Sequence, residues 1–429
     1  MTFPKNIYCI GIGGIGLSAL AQLFAHNGAM VSGSDRSASP VTDLLAEKGI
    51  TVHFSQTGEC VTSAIDLVVY SDAVPADNAE RVRAQELGIP QISYFEGLAL
   101  ASKGKRTIAV AGTHGKTTTT AMITKMLVDI GASPTAIIGS LTKDFESNCI
   151  VGTSDIFVVE ACEYRRHFLY LSPEVLVITN IEFDHTDYFK DVPDLLNAFS
   201  EMAHKESVKC VIANLGQETV RVAAAGTQAV CDYTEEESPT LSMLGEFNRM
   251  NARAAKAAVK AILGDTDEEK LDASLRSFAG TWRRFEYKGT TETGAAVYDD
   301  YAHHPTAIRE TIEAVRAKFP GKHIVVAFQP HLFSRTRDLF GSFVEELAKA
   351  DRILLAPIYP AREVDTGDIS SDILAKEISL LNPHVLSCAS FEEIEKELRE
   401  HTSSDDLIIT MGAGELYTIA DSLTAKNNA

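Results

Sequence analysis

The chain is short of positive charge. It carries 39 Lys and Arg against 59 Asp and Glu, a formal charge of −20. Such a surface repels phosphate backbones, which argues against nucleic acid and anionic membrane as main partners. Any anionic ligand must then be met locally, by backbone amides and a few placed cations. Paired cysteines are lacking too. The seven thiols are Cys9, Cys60, Cys149, Cys162, Cys210, Cys231 and Cys388. None forms a CxxC pair and no histidine stands at finger spacing beside them, so isolated, reduced thiols in a reducing compartment are expected. No apolar run approaches the length of a membrane span, and no basic-then-apolar leader opens the chain. A cytoplasmic location is the expectation. Repeats and low-complexity tracts are absent.

What is present is an ordinary globular balance, 45% hydrophobic and 23% charged over 429 residues. At about 100–200 residues per domain, two to four domains are expected. Pattern separates three α/β blocks, at 1–102, 103–289 and 290–429. The first alternates short apolar runs (Ile7–Ile10, Ala64–Tyr70) with helical stretches (Leu17–Asn27, Asn78–Leu87), as parallel strands with crossover helices do. The second has strands at Thr107–Ala111, Ile156–Glu160 and Val175–Asn180. Its helices fall at about Thr117–Ile130 and at the Ala-rich Asn251–Leu263. The third has strands at Ala296–Asp299, His323–Phe328, Arg352–Ala356 and Leu407–Thr410.

The strongest chemical signal is Ala111-Gly-Thr-His-Gly-Lys-Thr-Thr-Thr-Thr120, between a strand and a helix. Gly112 and Gly115 let successive amides turn inward onto an anion, and the helix N-terminus adds partial positive charge. Lys116 supplies a full charge for outer phosphates, and the Thr117 hydroxyl can hold Mg²⁺. The strict GxxxxGK[ST] pattern is not met, because Val110 stands at its first glycine; a shorter GTxGKT variant remains. Gly11-Ile-Gly-Gly-Ile-Gly16 also follows a strand and opens a helix, with Asp35 19 residues beyond Gly16. That pattern reports close backbone approach to a diphosphate, from NAD(P) or from a UDP-sugar. Glu160 ends one strand, and Val175–Asn180 runs into Ile181-Glu-Phe-Asp-His185. Strand ends open onto the ligand crevice of such sheets, so Glu160 and His185 are candidate metal ligands beside Thr117.

Three markers in chain order resemble the Mur ligases, the peptidoglycan-building amide ligases. They are Gly112-Thr-His-Gly-Lys-Thr-Thr-Thr119, Thr179-Asn-Ile-Glu-Phe-Asp-His185 and Gly245-Glu-Phe-Asn-Arg-Met-Asn251. Further support comes from Glu163-Tyr-Arg-Arg-His-Phe168, Asp299-Asp-Tyr-Ala-His-His-Pro-Thr306, Phe328-Gln-Pro-His-Leu-Phe-Ser-Arg-Thr336 and Tyr359-Pro-Ala-Arg-Glu363. The resemblance implies three domains: a Rossmann-like N-terminal one, a central P-loop ATPase-like one and a C-terminal Rossmann-like one. It implies ATP and Mg²⁺, with UDP-N-acetylmuramate and L-alanine as substrates.

By the same resemblance, Gly112, Thr113, His114, Gly115, Lys116, Thr117 and Thr118 would hold the ATP phosphates, and Thr117, Glu160 and His185 the metal. Asn248 and Asn251 would face the adenine, with Arg284 and Asp300 completing the nucleotide site and His331 reaching over it. Gly13, Gly14, Ile15, Asp35 and Ser71 would hold the UDP moiety. Tyr301, His303, His304 and Arg335 would serve the reacting carboxylate and the incoming amine, with His303 or His304 as proton acceptor. Departures from the family pattern are Cys162 for Asp, Ser93 for Arg, Asp72 for Ser, Glu415 for Asp, and Trp282. Two alternatives stay open: a ligase attaching a preformed peptide to the same sugar nucleotide, and a nicotinamide-dependent dehydrogenase. Monomer and dimer are equally open.

Overall fold

The computed structural model describes residues 4–361 and 363–424. Arg362, within the Tyr359–Glu363 motif, lies outside the described residues. The fold is a three-domain α/β structure with one sheet per domain, and the chain divides into two compact units. One unit comprises residues 1–182, 193–240 and 250–279, and holds the first two sheets. The other comprises residues 183–192, 241–249 and 280–429, and holds the third.

The first sheet is wholly parallel, in the spatial order Thr51–His53, Met30–Ser34, Asn6–Ile10, Leu67–Tyr70, Gln91–Ser93. Strand order reverses between Asn6–Ile10 and Leu67–Tyr70, so the crevice at their carboxyl ends is flanked by the Gly11–Gly16 loop and by Ser71 and Asp72. The second of these strands begins at Leu67, later than the expected Ala64. The Asp66 carboxylate instead ties the chain to the start of the neighbouring strand, accepting the Lys5 and Asn6 amides at 3.0 and 2.9 Å.

The second sheet runs Val230–Asp232, Cys210–Ala213, Val175–Ile178, Arg106–Ala111, Ile156–Glu160, Thr135–Thr142, Ser147–Ile150. Its central strands are continuous buried apolar runs, such as Val-Leu-Val-Ile at 175–178, as parallel strands covered on both faces require. The last pair is an antiparallel hairpin. Asn148 on that hairpin ties the first two domains together through a buried polar network. Its amide nitrogen donates to the Ile15 carbonyl (2.6 Å) and to Ser18 Oγ (2.9 Å), and its oxygen accepts from Gln22 (2.8 Å).

The third sheet, in the other unit, runs Glu286–Thr290, Ala296–Asp300, Asp406–Met411, His323–Phe328, Arg352–Leu355, Val385–Ser387, with the first strand antiparallel. The Ala-rich helix spans Glu246–Leu263 and starts five residues before the expected Asn251, directly after Gly245 at φ +91°. Both Asn248 and Asn251 therefore sit inside its first two turns. Among the described residues no helix is long and apolar enough to cross a membrane, and all seven cysteines are free thiols.

Candidate active site

The glycine turn after Arg106–Ala111 is fixed by the strand next to it. Thr179 Oγ donates to the His114 carbonyl at 2.6 Å. The Asn180 side chain accepts the His114 amide at 2.9 Å and donates to its carbonyl at 3.1 Å. Thr113 Oγ exchanges two hydrogen bonds with the Glu182 backbone, at 3.0 and 2.9 Å. The Thr-Asn-Ile-Glu marker is thus the wall that shapes the turn. Two glycines are obligatory here: Gly112 and Gly115 have φ of +131° and +81°. A Cβ on Gly112 would meet Thr179 Oγ at 2.0 Å, and one on Gly115 would meet Asn251 Oδ1 at 2.3 Å. Asn251 therefore lies against the phosphate turn.

Lys116 opens the helix Lys116–Asp129, and Gly115 is its N-cap. Its ammonium donates to the carbonyls of Gly112 and Thr113 and lies 3.1 Å from both carboxylate oxygens of Glu163. Burial works against its charge, but Glu163 and then Glu160 outweigh it and hold the amine above the ordinary lysine range. The Cys162 thiol is pushed up to about 12 by burial and by Glu163, so it stays neutral. The anionic charge beside Lys116 comes from Glu163 and Glu160, not from residue 162. Thr117 Oγ donates to Glu160 Oε2 at 2.8 Å, which brings two of the three expected metal ligands together. Gly139 leaves the space for that carboxylate, since a Cβ there would fall 2.0 Å from Glu160 Oε2. An alcohol oxygen and a carboxylate oxygen side by side are the hard donors that Mg²⁺ takes, so these residues fit that ion.

In the first-domain crevice the Gly13 amide donates to Asp35 Oδ2 at 2.7 Å. The Asp35 carboxylate thus occupies one amide expected to face a diphosphate. Ser71 Oγ accepts the Ala73 amide at 3.4 Å. Gly14 is the N-cap of the helix Ile15–His26. The Tyr94 ring packs onto Gly16, where a Cβ would lie 2.6 Å from the phenol oxygen. Ser93 caps the helix Tyr94–Ser102 in a capping box with Glu96.

The second unit gathers the remaining residues. Asp184 and Arg335 form a buried pair, with Nε and Nη2 each 2.9 Å from Asp184 Oδ1. Arg335 Nη1 also donates to His331 Nδ1 at 3.1 Å. Burial would raise the Asp184 carboxyl, yet the Arg335 guanidinium, by charge and hydrogen bond, holds it well below the carboxylate range. His303 is driven well below the ordinary imidazole value by burial and then by Arg335. Its Nδ1 donates to the Tyr301 carbonyl at 2.9 Å, which leaves the Nε2 lone pair as the acceptor. His304 is the N-cap of the helix Pro305–Lys318, its Nδ1 taking the Thr306 amide at 3.3 Å. The Arg284 guanidinium lies over the Tyr301 ring at 4.8 Å, and Asn248 donates to the Leu244 carbonyl at 2.7 Å. His185, the third expected metal ligand, follows Asp184 with a left-handed φ of +54°.

Asp300 is buried and accepts from Thr311 Oγ at 2.7 Å and from the Ala302 amide at 3.1 Å. Burial pushes its carboxyl up to about 6. The folded protein therefore binds this proton more tightly than the unfolded chain does. Stability from this group is full below about pH 4 and is lost as pH rises to about 6, on the order of 3 kcal/mol. Asp300→Asn removes the titration. Its melting temperature relative to the parent is expected to climb between pH 4 and 7, as scanning calorimetry across that range will show. A constant difference would assign the carboxyl an ordinary pKa.

Residues beyond the motifs complete the site. Arg283, at φ +59°, bonds Asp299 at 2.9 Å and the Gly414 and Gly412 carbonyls at 2.8 and 2.6 Å, locking the strand ends behind Asp300. The doubled Arg in Thr281-Trp-Arg-Arg-Phe285 was the available signal, and it pointed to Arg284 alone. Gly139 and Asp35's hold on Gly13 had no such signal.

A phosphate turn backed by a lysine and hard oxygen donors, in the same unit as a glycine-rich crevice of the diphosphate-binding type, is the equipment of a nucleotide-using α/β enzyme. The sequence matches the Mur ligase family, catalytic domain over residues 6–106, the Mur ligase middle domain over 110–239, and the Mur ligase glutamate ligase domain over 283–414. The chain belongs to the Mur ligase family. It is 41% identical to the UDP-N-acetylmuramate–L-alanine ligase of Desulfitobacterium hafniense, covering 98% of this chain and 99% of that one. It is 37% identical to the protein of that name from Lachnospira eligens, over 98% of each. The crystal structure of UDP-N-acetylmuramate–alanine ligase from Thermotoga maritima superposes with a TM-score of 0.83 at 28% identity, covering 99% of both chains. A murein peptide ligase from Psychrobacter arcticus shares the fold, with a TM-score of 0.73 at 24% identity over 98% of both chains.

Proposed function

We propose that this chain joins L-alanine to the lactyl carboxylate of UDP-N-acetylmuramate, converting ATP to ADP and phosphate. The strongest support is the near full-length likeness to ligases of that name at up to 41% identity. A carboxylate does not react with amines in water, because oxide is its leaving group. Attack of a lactyl carboxylate oxygen on the γ-phosphorus forms an acyl phosphate and releases ADP. The amine nitrogen then attacks the acyl carbon, the C–O bond to phosphate breaks, and an amide forms. The Gly112–Gly115 turn, with Thr118 in the following helix, cradles the phosphates. Lys116 leaves Glu163 in part to meet the charge that gathers on the transferred oxygens. Thr117 and Glu160 would hold Mg²⁺, with His185 as the third ligand that the family resemblance implies, and the ion would supply further charge neutralisation.

Alanine's nitrogen must attack as the free amine. Neutral His303, with its Nε2 lone pair, is the proton acceptor we assign; His304 serves as the cap that orients this segment. Tyr301 and Arg335 face the reacting groups, and Asn248, Asn251, Arg284, Asp300 and His331 take the nucleotide. Gly13, Gly14, Ile15, Asp35 and Ser71 take the UDP moiety, Asp35 giving up the Gly13 amide to the diphosphate. We assign domains at 1–102, 103–289 and 290–429, with the first strand of the third sheet, Glu286–Thr290, straddling the last boundary, and a cytoplasmic location.

The test is phosphate release with UDP-N-acetylmuramate, ATP and each candidate acceptor in turn. L-alanine is expected to support turnover, and omission of either substrate to abolish it. Turnover with a preformed peptide and none with L-alanine would move the assignment to the peptide-attaching ligases.

A further inference from the structure

Several unfavourable features converge on one seam within the first unit. Arg165 and Arg166 are consecutive non-glycine residues in left-handed conformation, at φ +51° and +59°. Backbone in that region is strained for L-residues and collects at functional segments. The segment stays in place because Arg166 is gripped by Asp194 (2.8 Å) and Glu201 (3.0 Å), and because Phe168 is buried against Phe199. This geometry sends His167 onto Asp72 of the first domain. His167 Nε2 lies 2.9 Å from Asp72 Oδ2, and the imidazole stacks on Phe95 with centroids 4.1 Å apart.

The contact is a poor structural bargain by itself. Asp72 Oδ2 is buried and receives no directed hydrogen bond, and His167 Nδ1 is buried with no partner among the described residues. Buried polar atoms left this way call for an explanation other than stability. The location offers one. Asp72 follows Ser71 at the mouth of the first-domain crevice, while His167 lies four residues beyond Glu163, which holds Lys116. The pair therefore bridges the two anion cradles. Tyr94, packed on Gly16 and raised in pKa by burial and then by Glu160, follows the same path.

We propose that Asp72 and His167 are positioning residues: the pair sets the separation between the sugar-nucleotide crevice and the phosphate turn. In that way the reacting carboxylate meets the γ-phosphate in line. This rests on the ligase reading above. Neither residue touches the reacting atoms. They act through Ser71 on one side and Glu163 on the other.

The test uses the full chain with His167→Phe, which keeps a ring on Phe95, and Asp72→Asn, which is isosteric. Steady-state kcat and KM for each substrate are measured beside the melting temperature. A displacement of about 1 Å at the reacting centre costs up to about 100-fold in rate. Each variant is expected to lose about 10- to 100-fold in kcat, with KM for ATP within about twofold of the parent and melting temperature unchanged or higher. A lowered melting temperature with parental kcat would make the seam purely structural and overturn the proposal. So would a change in KM for the sugar nucleotide alone. A parent protein that turns over neither L-alanine nor a peptide would overturn the ligase reading, and the proposal with it.

Discussion

Replacing Lys116 with alanine will cut ATP-dependent phosphate release by at least about 10³-fold, while UDP-N-acetylmuramate binding stays near its parental value. The lysine supplies the full positive charge within the Gly112–Thr117 cradle, and the turn's amides cannot replace it at the transferred oxygens. The sugar-nucleotide crevice is built from a different sheet, so its affinity is a separate readout. The substitution also has a structural cost. Glu163, with a side chain 2% exposed, would lose its cation. Removing one partner of a buried ion pair costs about 3–5 kcal/mol. Lys116→Met combined with Glu163→Gln removes both charges, so it should regain stability and remain inactive. Calorimetry for the sugar nucleotide and a phosphate-release assay separate these effects. Parental phosphate release in Lys116→Ala would remove the lysine from the chemistry.

Local chemistry was legible in the sequence, and long-range pairing was not. A glycine-lysine-threonine turn declares itself because each residue type answers a backbone or charge requirement within a few positions. The same locality revealed Glu160, which ends its strand where a crevice opens. The partner that holds Lys116 is 47 residues away, and that of Arg335 is 151 away. Neither spacing leaves a periodic trace. Gly139 has no mark in the sequence, because the need for it appears only with Glu160 placed opposite. The Ala-rich helix was begun late because its composition becomes distinctive only after Asn251. Its first turn carries Phe247 and Asn248, whose propensities are ordinary. The hairpin Thr135–Thr142 with Ser147–Ile150 was missed because its bulged register breaks the alternation that marks strands. That hairpin carries Asn148, the side chain that joins the first two domains.

Arg335→Ala should be the most damaging single change in the second unit. Arg335 and Asp184 are 4% and 6% exposed, so truncation leaves a buried carboxylate without its cation. About 3–5 kcal/mol of stability should go with it. Turnover should fall by about 10²–10³-fold, the usual loss when one donor to developing charge is removed. Arg335→Lys keeps the charge but not the planar fork that meets Asp184 and His331 together. It should therefore recover most of the stability and little of the rate. Arg335→Met with Asp184→Asn goes further, because neither side chain then carries a charge that needs a counter-ion. It should melt near the parent temperature and still release phosphate slowly. If the double variant regained parental kcat along with its stability, Arg335 would be a structural cation with no part in the chemistry.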